Sequence, residues 1–204
     1  KMGGICEDKL KKAIKAITKN DSELAEFIIK KDQELDALES EIDDLVIRTI
    51  ALRQPVADDL RLLFAAIKIS ASLERIGDLT KNIGKRTLLI SEEQPIKLRE
   101  PIADLGKMAH TQLSKAINAH TKKDHDLAMQ VWSEDLFLDK MYANITTELV
   151  DSLRKKKHVE VGSHLLFVAK NFERIGDHTT EISEMVHYVI TGNHIDKERP
   201  KKSI

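Results

Sequence analysis

One cysteine, Cys6, stands in a chain of 204 residues, so no internal disulfide can brace it. The chain needs no oxidising compartment, and a cytoplasmic location is the expectation. Aromatic residues make up only 4 %, and proline and glycine number 4 and 8. Sheet proteins draw on aromatic and β-branched residues and on turn formers, so this composition argues against an all-β fold. No apolar run approaches the roughly 20 residues that span a bilayer, and no signal peptide is visible. Charge of one sign is also missing, since 33 % of residues are charged but the formal net charge is −1. A binder that works mainly by neutralising phosphates is excluded, so nucleic acid is not an expected partner. There is no phosphate loop and no dinucleotide fingerprint. No base is patterned beside Cys6, so it is not a credible nucleophile.

Leu, Ile, Ala, Glu, Lys and Asp dominate instead, and these suit helices. The opening, Lys1-Met2-Gly3-Gly4-Ile5, runs straight into helical pattern, so the chain is expected to begin inside a helix that starts upstream. Asn20-Asp21-Ser22 reads as a turn and cap. Arg53-Gln54-Pro55 stops a long helical pattern, because proline lacks an N–H and disfavours helix in the residue before it. Further breaks fall at Ser91–Pro95, Thr121–Asp124 and Lys155–Val159, and Gly192-Asn193 ends the last periodic segment. Arg154 to Lys157 is a basic run of the kind that favours the end of a helix. Between breaks the apolar spacing is helical, as in Leu62, Ala65, Ile69, Leu73, Ile76 and Ile83. Six helices are predicted, at about 3–19, 22–52, 56–90, 97–120, 124–155 and 159–191. Short connections imply antiparallel neighbours. The expected fold is all-α, a tandem duplication of two antiparallel three-helix bundles, over residues 1–92 and 93–204.

Register supports the duplication. Leu73-Glu74-Arg75-Ile76-Gly77-Asp78 matches Phe172-Glu173-Arg174-Ile175-Gly176-Asp177 at an offset of 99. The same offset aligns Ile69 with Val168, Thr80 with Thr179 and Ile83 with Ile182. A repeat this long suits a duplicated domain rather than a solenoid unit.

The repeated motif also carries chemistry. Glu74 and Asp78 are four apart, so they share a helix face, and Asn82 continues the row. The second row is Glu173, Asp177 and Glu181. The preceding helix carries Asp32, Asp36, Glu39 and Asp43 in one acidic stripe, and its counterpart carries Asp135 and Asp139. With the first turn centred near Gln54, Asp36 lies 18 residues before it and Glu74 lies 20 after, so the two stand roughly level. Asp32 then stands near Asp78. In the second copy, with the turn near Lys157, Asp139 lies 18 before, and Glu173 and Asp177 lie 16 and 20 after. Four carboxylates converging between two helices repel unless a multivalent cation relieves them, and all-oxygen ligands suit hard metals. The plainer reading is two solvated acidic faces, partly neutralised by Arg75 and Arg174. Glu184-x-x-His187 resembles half of a di-iron carboxylate site but has no second copy. His178 follows the second motif as a candidate outer partner, and Trp132 reads as a packing anchor.

The doubled Glu-Arg-Ile-Gly-Asp helices, the Arg53-Gln54-Pro55 … Asp59-Leu60-Arg61 helix start and the ending Tyr188-Val189-Ile190-Thr191-Gly192 resemble the PhoU family, accessory regulators of the phosphate-specific transport system. The similarity covers essentially the whole chain. It implies two similar three-helix bundles, a homodimer, and multinuclear iron or zinc clusters at paired acidic motifs. It implies a cytoplasmic negative regulator of the phosphate-starvation response that links the transporter's ATPase subunit to a sensor histidine kinase, and so lies at the membrane only through partners. The family's metal motifs fall on Asp32 and Asp36 with Glu74 and Asp78, and on Asp135 and Asp139 with Glu173 and Asp177. Glu39, Asn82, His178 and Glu181 are candidate additional or outer ligands. One departure stands out, since Val161-Gly162-Ser163 occupies the second-copy place of Asp59-Leu60-Arg61.

A non-enzymatic regulator is therefore the first expectation. A carboxylate-bridged metalloenzyme on a helical bundle and a metal-free helical scaffold are the alternatives. Oxygen ligands also leave manganese and magnesium open.

Overall fold

The computed structural model describes residues 1–30, 33–90, 99–154 and 159–196. Among these residues the regular structure is entirely helical. The helices are α1 (Met2–Lys19), α2 (Ser22–Lys30), α3 (Gln33–Arg53), α4 (Ala57–Leu88), α5 (Arg99–Lys122), α6 (His125–Arg154) and α7 (Val159–Thr191). α2 and α3 together cover the second expected helix, on either side of residues 31–32. The remaining bounds agree with the predicted ones to within two residues, apart from α6, whose neighbours 155–158 lie outside the described residues.

The two copies begin with the same turn, residue for residue, at an offset of 103. Asn20 and Lys123 both end a helix in the left-handed conformation, at φ 53°. The next residues, Asp21 and Asp124, send their N–H groups back to the carbonyls of Ala16 and Ala119, at 3.0 and 2.9 Å. Their side chains then cap the following helix, accepting from the N–H of Leu24 at 2.9 Å and of Leu127 at 3.0 Å.

The copies also meet symmetrically. α1 and α5 cross antiparallel, and each offers a glycine to an isoleucine of the other. A Cβ on Gly3 would stand 3.0 Å from Ile117 Cδ1, and one on Gly106 would stand 2.9 Å from Ile14 Cγ1. Since Gly106 and Ile117 are the equivalents of Gly3 and Ile14, the crossing has a local two-fold symmetry. α4 and α7 lie alongside each other antiparallel, and this is the most extensive helix pairing in the molecule. Along that seam Ser72 Oγ donates to Glu181 at 3.0 Å, and Arg86 packs over the Phe167 ring at 4.3 Å. At its far end Phe64 meets Tyr188 edge-on.

One continuous hydrophobic core therefore runs through both bundles, from Cys6 and Leu10 to Val168 and Phe172. Phe172 is the largest fully buried side chain and closes over the Gly106 crossing. Cys6 is sealed within this core, its thiol donating to the Leu73 carbonyl at 3.2 Å. Among the described residues no helix is long and apolar enough to cross a membrane.

α3 departs from this order. Over 21 residues it buries only Leu35 and Val46. Leu45, Ile47, Ile50 and Leu52 face outward, and Val56, Leu60, Leu62 and Phe64 extend the apolar surface past the turn onto α4. That turn holds two non-glycine residues at positive φ, Gln54 at 46° and Ala57 at 48°.

Candidate acidic sites between paired helices

Each acidic motif is positioned by a glycine notch. A Cβ on Gly77 would collide with Leu35 Cδ1, and one on Gly176 would sit 3.0 Å from Leu138 Cδ2. Leu35 and Leu138 are equivalents, so the same leucine enters the same notch in both copies. This contact sets the register of α3 on α4 and of α6 on α7. It places the acidic stripe of one helix level with the Glu-x-x-x-Asp pair of the other, as the residue counts from the turns require.

In the first copy the Glu74 side chain is 14 % exposed and Asp78 37 %. Burial raises the Glu74 pKa, Asp78 adds to it, Arg75 opposes it, and Glu39 and Asp36 contribute from across the helix pair. Glu39, half-buried, is raised by burial, then by Asp43, with Arg75 opposing and Asp36 adding. Asp43 Oδ1 is itself buried with no hydrogen-bond partner. Asp36 is exposed and turned toward solvent, and Asn82 is exposed too. Asp32 lies outside the described residues. Counter-charge comes from the same helix, with Arg75 3.5 Å from Glu74 and Lys81 3.2 Å from Asp78.

In the second copy Asp135 is fully buried, and its Oδ1 stands 3.1 Å from the place a Cβ on Gly176 would take. Glu173 is 14 % exposed at its side chain and accepts a 2.6 Å hydrogen bond from Lys170 Nζ. Burial raises its pKa, the Lys170 hydrogen bond opposes, and Asp177 and Asp139 add to the rise. Asp139 and Asp177 are half-buried beside it. His178 and Glu181 turn away from this group. Glu181 lies 2.9 Å from His178 Nδ1 and accepts from Ser72, so the two belong to the α4–α7 seam.

Lys81 and Lys170 were not among the expected site residues. Their spacing of three from Asp78 and Glu173 is the signal that identifies them. Arg61, in the element without a second-copy equivalent, pairs with Asp58 and packs against Gly192 at the end of α7. With Leu60, Phe64, Tyr188 and His194 it lines a groove of about 430 Å³.

The donor chemistry of both groups, clustered carboxylate oxygens, fits a hard or borderline cation. As placed, no three His, Cys, Asp or Glu side chains among the described residues stand close enough to enclose an ion. A cation would draw the carboxylates inward and displace Lys170 in one site and Arg75 and Lys81 in the other.

Fold and sites together define a duplicated three-helix-bundle protein in which two antiparallel helices, α4 and α7, each present an acidic pair to a neighbouring helix. The PhoU domain model matches residues 1–87 and 102–186. The phosphate-specific transport system accessory protein PhoU homolog of Caulobacter vibrioides (strain NA1000 / CB15N) is 44 % identical over 206 residues, spanning 100 % of this chain and 90 % of that one. The homolog of Rhizobium meliloti (strain 1021) is 37 % identical over 202 residues, spanning 98 % and 85 %. Among solved structures, PhoU from Pseudomonas aeruginosa superposes at TM-score 0.91 with 30 % identity, over 94 % of this chain and 93 % of that one. The phosphate transport system regulatory protein PhoU from Streptococcus pneumoniae superposes at TM-score 0.90 with 26 % identity, over 96 % and 93 %. The chain belongs to the PhoU family.

Proposed function

We propose that this chain is a cytoplasmic accessory protein of a phosphate transport system that acts by docking, not by catalysis. In this reading it restrains the transporter through its ATPase subunit and restrains phosphate-starvation signalling through a sensor histidine kinase. The observation that carries the proposal is full-length membership of a family whose matched relatives bear the accessory-protein description. The α3–α4 hairpin supplies a docking surface for the transporter subunit, with Leu52 77 % and Val56 75 % exposed around a strained turn. The chain acts as a homodimer. Each acidic group takes a multinuclear cluster, with iron or zinc as the first candidates. Asp32, Asp36, Glu74 and Asp78 hold one, and Asp135, Asp139, Glu173 and Asp177 the other. A cation there would tighten α3 onto α4 and α6 onto α7, and so set how the hairpin is presented.

The test is a Glu74→Ala/Asp78→Ala variant introduced in place of the native protein. Loss of transport repression with an intact helical spectrum supports the docking role, and native-level regulation overturns it. A metal-free scaffold is a second reading, favoured by the Lys170 and Arg75 ion pairs that already balance part of the charge. Elemental analysis of protein purified without chelators or a nickel column separates the two. Less than about one metal per chain favours the scaffold.

A further inference from the structure

The Glu184-x-x-His187 element finds its partner far away in sequence. His125 is the first residue of α6, directly after the Asp124 cap, and His187 lies near the end of α7. Antiparallel packing brings His125 Nε2 to 2.9 Å from His187 Nδ1, with ring centroids 5.0 Å apart and planes tilted by 40°. Without a metal, one ring donates its proton to the other. We infer that this pair is a nitrogen-donor metal site for a late first-row divalent cation, separate from the acidic groups.

Four observations support this. Imidazole nitrogens bind such ions at about 2.0–2.1 Å, so two cis ligands near a right angle sit about 2.9 Å apart. A cation would sit to one side of the line between the nitrogens, reached by turning the two rings rather than by moving either helix. The exposed Asp126 carboxylate stands 3.6 Å from His125 Nδ1 and adds negative charge beside the ring. A carboxylate also lies one turn away on α7. Glu184 is one turn before His187 on the side facing α6, where its Oε1 accepts from Trp132 Nε1 at 3.2 Å. Finally, the first copy holds the same fold without this pair. The equivalents of His125 and His187 are Ser22 and the exposed Leu88, so packing alone does not call for two histidines here.

The electrostatics agree. Burial, then His125, lowers the His187 pKa, with Asp196 opposing and His194 adding. Imidazole suits copper, nickel and zinc, and carboxylates also accept harder ions, so the two kinds of site would differ in preference, with zinc able to enter both.

The test uses the full chain with Cu²⁺ as probe and two readouts. Electron paramagnetic resonance counts coordinated nitrogens, and fluorescence follows Trp132, the only tryptophan. The expected result is one saturable Cu²⁺ with two imidazole nitrogens and quenched Trp132 emission. H125Q and H187Q should each remove one nitrogen and weaken binding at least about tenfold. H110Q, at a histidine of α5 outside the pair, should leave both readouts unchanged. H125Q sits in the outer first turn of α6 and keeps the test free of core damage. Two results overturn the inference. One is an oxygen-only Cu²⁺ signal in the parent protein, and the other is H125Q/H187Q binding Cu²⁺ as tightly as the parent.

Discussion

α3 and the second half of α6 hold equivalent places in the two copies, pack nearly alike and differ in the face they turn outward. Both lay one leucine into a glycine notch, Leu35 at Gly77 and Leu138 at Gly176. Beyond that contact α3 buries little except Val46. The equivalent stretch of α6 buries Ile145 and Leu149, while Ala128 and Val131 answer to the buried Ala25 and Ile28 of α2. The larger difference is on the outward face, where Leu45 and Leu52 stand at the positions of Glu148 and Lys155. The difference shows what duplication kept and what it released. The notch and the level acidic stripes survive in both copies, so these are the shared element. The outward face of the first hairpin carries exposed leucine, isoleucine and valine instead.

The largest expected effect tests whether the copies are one folding unit. Phe172→Ala removes the aromatic ring at the centre of the shared core and should cost about 3–5 kcal/mol. Thermal melts followed by circular dichroism and by Trp132 fluorescence should coincide in a single shifted transition. A biphasic melt in which only one phase moves would show that the copies fold separately. Next, Leu35→Ala and Leu138→Ala should each cost about 2–5 kcal/mol in denaturant titrations. Leu138 should lose more, because the buried Ile145 anchors the next turns of α6 while its equivalent in α3, Ile42, is only half-buried. Equal losses would erase the contrast drawn between the two helices.

A smaller effect concerns pH. Glu74 and Glu173 have folded-state pKa values raised above their ordinary value, so the folded chain holds more protons than the unfolded one. Their contribution is most favourable below the unfolded pKa and is lost as pH rises through the raised folded value. Metal-free protein should therefore lose stability from about pH 4.5 upward through these groups. Glu173→Gln should flatten that fall and raise the melting temperature at pH 7.5. An unchanged pH profile would sink the account. Smallest of all, Leu52→Ser and Val56→Ser should shift stability by no more than about 0.5 kcal/mol, since both are exposed. The same changes should weaken capture of the transporter's ATPase subunit, and undiminished capture would remove the hairpin as the docking surface.

Much of this architecture was legible in the sequence because helices follow local rules. Asp21 and Asp124 cap where their side chains require it, and Pro55 follows the end of α3. The levels of Glu74 and Asp36 could be counted from a turn because the rise per residue is constant. The acidic row in α7 was harder to read. Each step of four turns a helix by about 40° past the starting face, so two steps from Glu173 carry Glu181 to the α4 side, where it meets Ser72. The outward apolar face of α3 was hidden for a different reason. Leu45, Ile47, Ile50 and Leu52 are core-type residues by composition, and nothing local says that no helix covers them. The pairing of His125 with His187 spans 62 positions and depends on the angle between two long helices, which no short motif encodes.

The reciprocal crossing of Gly3 on Ile117 and Gly106 on Ile14 has an evolutionary consequence. It is the contact that two identical half-length chains would make as a symmetric dimer, with the α4–α7 seam as its main interface. Fusing the halves into one gene fixed their ratio and let each acquire changes the other did not have to copy. One half could then turn leucine, isoleucine and valine outward as an adhesive hairpin, while the core shared with its sister continued to hold both in shape.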